Sequence, residues 1–112
     1  MLKVLFVCSR NQWRSPTAEQ VWKNHPGLQV RSAGTSPKAK QTISMAHIRW
    51  ADLILVMEKK HKSRILAQFK QWANHTPIYV LDIPDDYQYM DPELVEYLQD
   101  IVPMYLGFAS KG

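Results

Sequence analysis

The stretch Leu2-Lys3-Val4-Leu5-Phe6-Val7-Cys8-Ser9-Arg10-Asn11-Gln12-Trp13-Arg14-Ser15-Pro16 decides the fold. It opens on Leu2–Val7, a nearly continuous apolar run of the kind found in strands buried on both faces of a parallel sheet. A polar loop follows. The chain then takes up a helical pattern from Pro16 to Lys23, with Ala18, Val21 and Trp22 on one face, and His25-Pro26-Gly27 stops it.

The same alternation repeats outward from this unit. Leu28–Ser32, Asp52–Met57 and Ile78–Leu81 read as three further strands. Ile43, Ala46 and Trp50 recur at helical spacing before the third strand. Between the third and fourth, Ile65, Leu66, Phe69, Trp72 and Ala73 form one apolar stripe. Asp91-Pro92 opens a last helix bearing Leu94, Val95, Leu98, Ile101, Val102 and Tyr105, with Asp91 at the N-cap. Strand and helix in alternation imply right-handed crossovers and a parallel sheet covered by helices on both faces. Ligands of such sheets bind beyond the carboxyl ends of the strands. The loops after Val7, Ser32 and Leu81 are therefore the places to look for chemistry.

A chain of 112 residues fits one compact domain, expected to span 1–112. With 46% apolar and 21% charged residues, and four Trp, five Tyr and three Phe, it can bury enough area to exclude disorder. Fourteen Lys and Arg against ten Asp and Glu give a net charge of +4 and a pI near 9.3. That balance suits an anionic partner: a phosphorylated small molecule, a phosphoprotein or a nucleic acid. Cys8 is the only cysteine, which rules out an intramolecular disulfide framework and a cysteine-rich zinc site. It also points to a reducing compartment. The opening apolar run is too short for a signal-peptide core, and no run approaches the roughly 18 residues of a membrane span. A cytoplasmic protein with no membrane partner is the expectation.

In the first loop, Cys8 and Arg14 are separated by five residues, and a hydroxyl residue, Ser15, follows directly. A tight loop of this length can turn its backbone N–H groups inward as a nest for an anion. The helix N-terminus beside it adds further free donors and a positive dipole end. Arg14 could lay its planar fork across two oxygens of the anion. The same field favours the thiolate of Cys8, the nucleophilic form, with Ser15 as an added donor. Asn11 tolerates the left-handed backbone that an inward-curling loop requires. Two plainer readings compete: Cys8 as a small buried hydrophobe and Ser15 as a helix cap.

Val7-Cys8-x5-Arg14-Ser15-Pro16, with Ala18-Glu19 after it, resembles the phosphate loop of low-molecular-weight protein tyrosine phosphatases. Ser32-Ala33-Gly34-Thr35 and Ala51-Asp52-Leu53-Ile54-Leu55-Val56-Met57 resemble that family's second marker and third strand. The resemblance runs from residue 2 to about residue 100. The expected fold is then a three-layer α/β/α sandwich on a four-stranded parallel sheet of order 2-1-3-4. The resemblance further implies a phosphomonoester hydrolase that needs no metal or other cofactor. Cys8 would form a cysteinyl-phosphate that water cleaves. Arg14 and the loop of Ser9, Arg10, Asn11, Gln12, Trp13 and Arg14 would hold the phosphoryl oxygens. Ser15 would stabilise the thiolate, Asn11 the loop, and Ser32 would support both.

A phosphate-ester leaving group benefits from a proton, so a carboxylic acid belongs near the loop. Asp82-Ile83-Pro84-Asp85-Asp86-Tyr87 follows the fourth strand. In a sheet of order 2-1-3-4 that strand lies roughly 10 Å from the first, a gap this loop can cross. The family carries its acid as Asp-Pro-Tyr. Matching through Tyr87 gives Asp85 as the acid, with Asp86 in the proline's place and as the rival carboxyl. Tyr87 matches an aromatic that lines the family's pocket, against the plainer reading of an exposed loop tyrosine.

Other departures bear on the site. The chain is shorter than usual members, and only Ser36–Gln41 joins the second marker to the next helix, as if a wall of the cleft were missing. Arg10 stands where the family usually has glycine, and Trp13 where many members carry a second cysteine. His25, His47, His61 and His75 show no metal-ligand spacing, and Glu58-Lys59-Lys60-His61-Lys62 with Arg64 reads as a solvated basic helix start. The expected partner is a phosphotyrosine protein or small aryl phosphate, with inorganic phosphate or a sulfate-type oxyanion as a simple ligand, acting on a monomer. Two other readings compete. One is a non-catalytic module binding phosphate, phosphoprotein or nucleic acid, although no aromatic platform for RNA is evident. The other is a thiol-dependent arsenate reductase, which would need an external thiol because Cys8 has no resolving partner.

Overall fold

The computed structural model describes residues 1–110, and residues 111 and 112 of the expected 1–112 span lie outside the described residues. The strands are β1 (Leu2–Cys8), β2 (Leu28–Gly34), β3 (Leu53–Val56) and β4 (Ile78–Val80). They form one parallel sheet in the order β2-β1-β3-β4, with Cys8 opposite Gly34 and Val7 opposite Val56. The parallel sheet is what the alternation of apolar runs predicts, and the strand order is the one the family resemblance implies. β1 lies in the interior of the sheet, and residues 4–7 are fully buried.

Because successive residues of a strand face opposite sides, β1 serves two layers. Val4, Phe6 and Cys8 face α1 (Arg14–Trp22) and α5 (Pro92–Ser110), packing with Ala18, Trp22, Leu94, Leu98 and Val102. Leu5 and Val7 face the other layer, where Ile48, Ile65 and Ala73 come from α2 (Met45–Trp50), α3 (Lys59–Gln68) and α4 (Lys70–Ala73). The sulfur of Cys8 thus sits at the carboxyl end of an inner strand, on the face that α1 covers.

Asp91 caps α5 as expected, its Oδ1 accepting the Glu93 N–H at 2.9 Å. The stripe from Ile65 to Ala73 differs from expectation. It is split into α3 and α4 at Phe69 (φ −123°, ψ 36°), and Phe69 and Ala73 both pack in the core layer on this face. Trp72 lies off the apolar face: it is exposed, with the Arg49 guanidinium 5.6 Å from its ring centroid. Residues 35–44 form no helix; Thr42 bridges back to Gly34 before Ser44 caps α2. No described helix is long and apolar enough to cross a membrane.

Candidate active site

The loop between β1 and α1 is held from outside by its carbonyls. Thr35 N–H donates to the Cys8 carbonyl at 2.9 Å, Ser36 N–H to that of Ser9 at 2.9 Å, and Lys40 N–H to that of Arg10 at 3.1 Å. Among the described residues no N–H of Ser9, Arg10, Asn11, Gln12 or Trp13 donates to a protein acceptor. Asn11 makes the curl possible by adopting φ 52°. The short segment 35–41 is therefore the outer wall that shapes the loop.

Gly34 marks how closely that wall approaches. A Cβ there would lie 2.5 Å from the Ser9 carbonyl oxygen, 2.6 Å from Ala39 Cβ and 2.9 Å from the Asn11 nitrogen. Two of these are backbone atoms that cannot swing aside. Gly34→Ala is expected to cost about 1–3 kcal/mol of stability and to weaken phosphate binding, read by urea unfolding and phosphate titration. Unchanged values in both would refute this account of the loop.

Beneath the loop runs a chain of buried polar contacts. Asn11 Nδ2 donates to Ser15 Oγ at 3.0 Å and to Ser32 Oγ at 2.9 Å. Ser32 in turn donates to the Glu19 carboxylate. Ser15 Oγ lies 3.0 Å from Cys8 Sγ and 3.3 Å from the Ala33 carbonyl. Ser15 does not cap the helix: Trp13 occupies the N-cap, and the Ser15 hydroxyl points at the sulfur. Ser32 sits where the sequence places it, and Glu19 anchors it.

Cys8, Ser9, Arg10, Gln12, Trp13, Arg14 and Asp85 line one pocket of about 40 Å³. A single water needs roughly 10–15 Å³ of such space, so the pocket has room for one small tetrahedral oxyanion. Arg14 is almost fully buried; its Nη1 donates to Glu58 Oε2 at 2.5 Å and to the Ile83 carbonyl at 2.8 Å. Asp85 Oδ1 lies 3.6 Å from Arg14 Nε, with the carboxyl 61% exposed. The loop after β4 does cross the sheet, turning at Asp82 (φ 56°). It brings Asp85 to the pocket but leaves Asp86 exposed and outside the lining. Tyr87 is also outside the lining; half-buried, it packs against the layer that holds Val4 and Phe6. The aromatic at the pocket is instead Trp13.

Two residues that sequence reasoning assigned to a solvated face belong to the site. Glu58 and His61 form a reciprocal cap on α3, with the Glu58 N–H donating to His61 Nδ1 at 3.0 Å. His61 is 1% exposed, and its Nε2 lies 2.8 Å from Ser9 Oγ. Burial opposes the charge of Glu58, but the hydrogen bond and charge of Arg14 outweigh it and hold the carboxyl below its ordinary value. Burial, helped by the nearby Arg14 cation, lowers His61 to about 4.

The histidine shift has a measurable sign. Between pH 6.5 and about 4 the unfolded chain takes up a proton at His61 that the folded chain refuses, so stability falls as pH falls through that window. The depressed carboxyl of Glu58 acts lower, as pH falls through and below the ordinary carboxylate range. Urea midpoints between pH 6.5 and 5 therefore lie above the carboxylate range and report His61 together with His47, which burial and the Arg31 cation also lower. His61→Gln should remove the His61 share of that slope and leave the share of His47, and an unaltered slope would contradict the assignment.

A buried thiol over inward amides, beside a fixed guanidinium, defines a class: cysteine-dependent phosphatases. Comparison with characterised proteins gives the family. No family model matches the chain. It is 31% identical to the low molecular weight protein-tyrosine-phosphatase Wzb of Salmonella typhi, over 77% of each chain. It is also 31% identical to a protein-arginine-phosphatase of Geobacillus stearothermophilus, over 66% of each. These alignments span roughly two thirds to three quarters of the curated relatives' length. Among solved structures, Vibrio vulnificus Wzb in complex with benzylphosphonate superposes with a TM-score of 0.72 at 26% identity, covering 99% of both chains. The protein belongs to the low-molecular-weight protein-tyrosine-phosphatase family.

Proposed function

We propose that this phosphatase hydrolyses aryl phosphomonoesters, with phosphotyrosine in proteins as the substrate class, through a cysteinyl-phosphate on Cys8. The observation that carries this reading is the position of Cys8 Sγ, 3.0 Å from the Ser15 hydroxyl, in a pocket it shares with Arg14 and Asp85. The thiolate attacks phosphorus in line with the ester oxygen. The P–O bond breaks as the S–P bond forms, and the Asp85 carboxyl gives its proton to the departing phenolate oxygen. Water then attacks phosphorus, passing a proton to the Asp85 carboxylate. The S–P bond breaks, returning the thiolate and releasing inorganic phosphate. Charge on the equatorial oxygens is met by the amides of the loop and by Arg14. Trp13, 37% exposed at the pocket, offers a surface on which an aryl ring can stack.

Steady-state hydrolysis of p-nitrophenyl phosphate and of phosphotyrosine at mildly acidic to neutral pH tests this, with phosphoarginine as the competing substrate class. Asp85→Asn is expected to lower kcat about 10²-fold on phosphotyrosine, whose leaving group needs the proton. The loss should be smaller on the nitrophenyl ester, and Asp86→Asn should stay near wild type. The reverse pattern would transfer the acid to Asp86. A preference for phosphoarginine would overturn the aryl-ester assignment.

A further inference from the structure

Ser9 lines the pocket with Cys8 and Arg14, and its side chain is engaged by His61, which is not part of that lining. The direction of that hydrogen bond follows from the histidine's other nitrogen. Nδ1 accepts the Glu58 N–H at 3.0 Å and so carries no hydrogen. A neutral imidazole with a bare Nδ1 must be protonated at Nε2. Arg14, Glu58, Lys60 and Asp85 are the charged groups that act on the ring, and burial with the Arg14 cation keeps it neutral down to about pH 4. Nε2–H is therefore the donor across the 2.8 Å contact, and Ser9 Oγ is the acceptor. A hydroxyl that accepts from one side is left with its own hydrogen to give elsewhere. No protein acceptor takes it among the described residues.

We propose that His61 is a positioning residue that holds Ser9 Oγ as an acceptor, so that the Ser9 hydroxyl donates to the oxyanion in the phosphate pocket. Ser9 thereby becomes a side-chain donor to the phosphoryl group, beside the backbone amides. The buried chain from Glu58 through His61 to Ser9 runs on the opposite side of the loop from the Glu19–Ser32–Asn11–Ser15 chain that reaches the sulfur. One network serves the nucleophile and the other serves the anion. The inference rests on the pocket being a phosphoryl site, whether or not turnover follows.

The test combines inorganic phosphate affinity with turnover of p-nitrophenyl phosphate in wild type, Ser9→Ala, His61→Gln and the double variant. A donor to a charged group is worth about ten- to a hundredfold, so Ser9→Ala should weaken phosphate binding and lower kcat/KM by about tenfold or more. His61→Gln should lose several-fold, and that loss should vanish in the Ser9→Ala background. An equal loss in both backgrounds would make His61 merely structural. Phosphate affinity of Ser9→Ala within about twofold of wild type would overturn the proposal outright. Long-range proton–nitrogen NMR of the wild-type protein gives a reading that no variant's folding can obscure. His61 should show the Nε2–H tautomer unchanged from pH 5 to 8, and an Nδ1–H tautomer would overturn the inference. Absence of Cys8-dependent turnover would sink the phosphatase mechanism alone, since the phosphate-affinity arm decides the role of Ser9 without it.

Discussion

Cys8→Ser should abolish turnover of p-nitrophenyl phosphate, a loss of at least about 10⁴-fold in kcat, while phosphate affinity stays within a few-fold of wild type. The separation follows from how the site is built. In the proposed site the anion would be held by the loop amides, and the loop itself is fixed by carbonyl contacts to Thr35, Ser36 and Lys40, none of which involves the sulfur. The substitution exchanges one buried small atom at the end of an inner strand for another, so β1 and the loop persist. What is lost is the nucleophile, because a serine hydroxyl beside Ser15 has no base to activate it. Steady-state kinetics and phosphate calorimetry on the same preparation check both halves. Retained turnover would remove Cys8 from the chemistry. Parallel loss of turnover and phosphate affinity would mean that the sulfur helps to shape the loop.

The sheet and the loop after its first strand were legible because both are written as local patterns. Four short β-rich runs separated by helical stripes leave few arrangements open, and Cys8-x5-Arg14-Ser15 at the first strand–helix junction points to the pocket that Cys8 and Arg14 share. The second carboxyl end was harder. Glu58 follows directly on Met57, at the end of β3, which lies next to β1 in the sheet. The rule that ligands gather at strand ends should have included that loop. The lysines around Glu58 and His61 instead gave the segment the composition of a solvated face. Lys59 and Lys60 are indeed exposed, but a capping geometry turns Glu58 and His61 inward. Burial of a polar side chain by its tertiary neighbours leaves no period in the sequence. Tyr87 failed for a related reason: one apolar face in a loop serves a core or a pocket equally well, and here the core layer beside it takes the ring. The split at Phe69 has no glycine or proline to announce it.

Arg14→Lys should cost about 10²–10³-fold in kcat and weaken phosphate binding, although the charge is conserved. A guanidinium has five N–H donors in a fixed plane. The two on Nη1 are committed to Glu58 and the Ile83 carbonyl. The hydrogens on Nε and the second terminal nitrogen remain, along the edge that Asp85 approaches at 3.6 Å. That edge can take two phosphoryl oxygens at once while the opposite side keeps its protein partners. A lysine ammonium, with three donors around one point, cannot satisfy Glu58, the carbonyl and two oxygens together. Glu58→Gln separates the orienting role from the charge. The amide can still accept from Nη1, so the guanidinium keeps its plane. The loss in kcat should then be about tenfold or less, by comparison with the 10²–10³ of a lost oxyanion donor. If Arg14→Lys turned over at the wild-type rate, the fork geometry would be irrelevant and the arginine a simple counter-charge. If Glu58→Gln were as damaging as Arg14→Lys, the orientation of the guanidinium would depend on the full ion pair with Glu58.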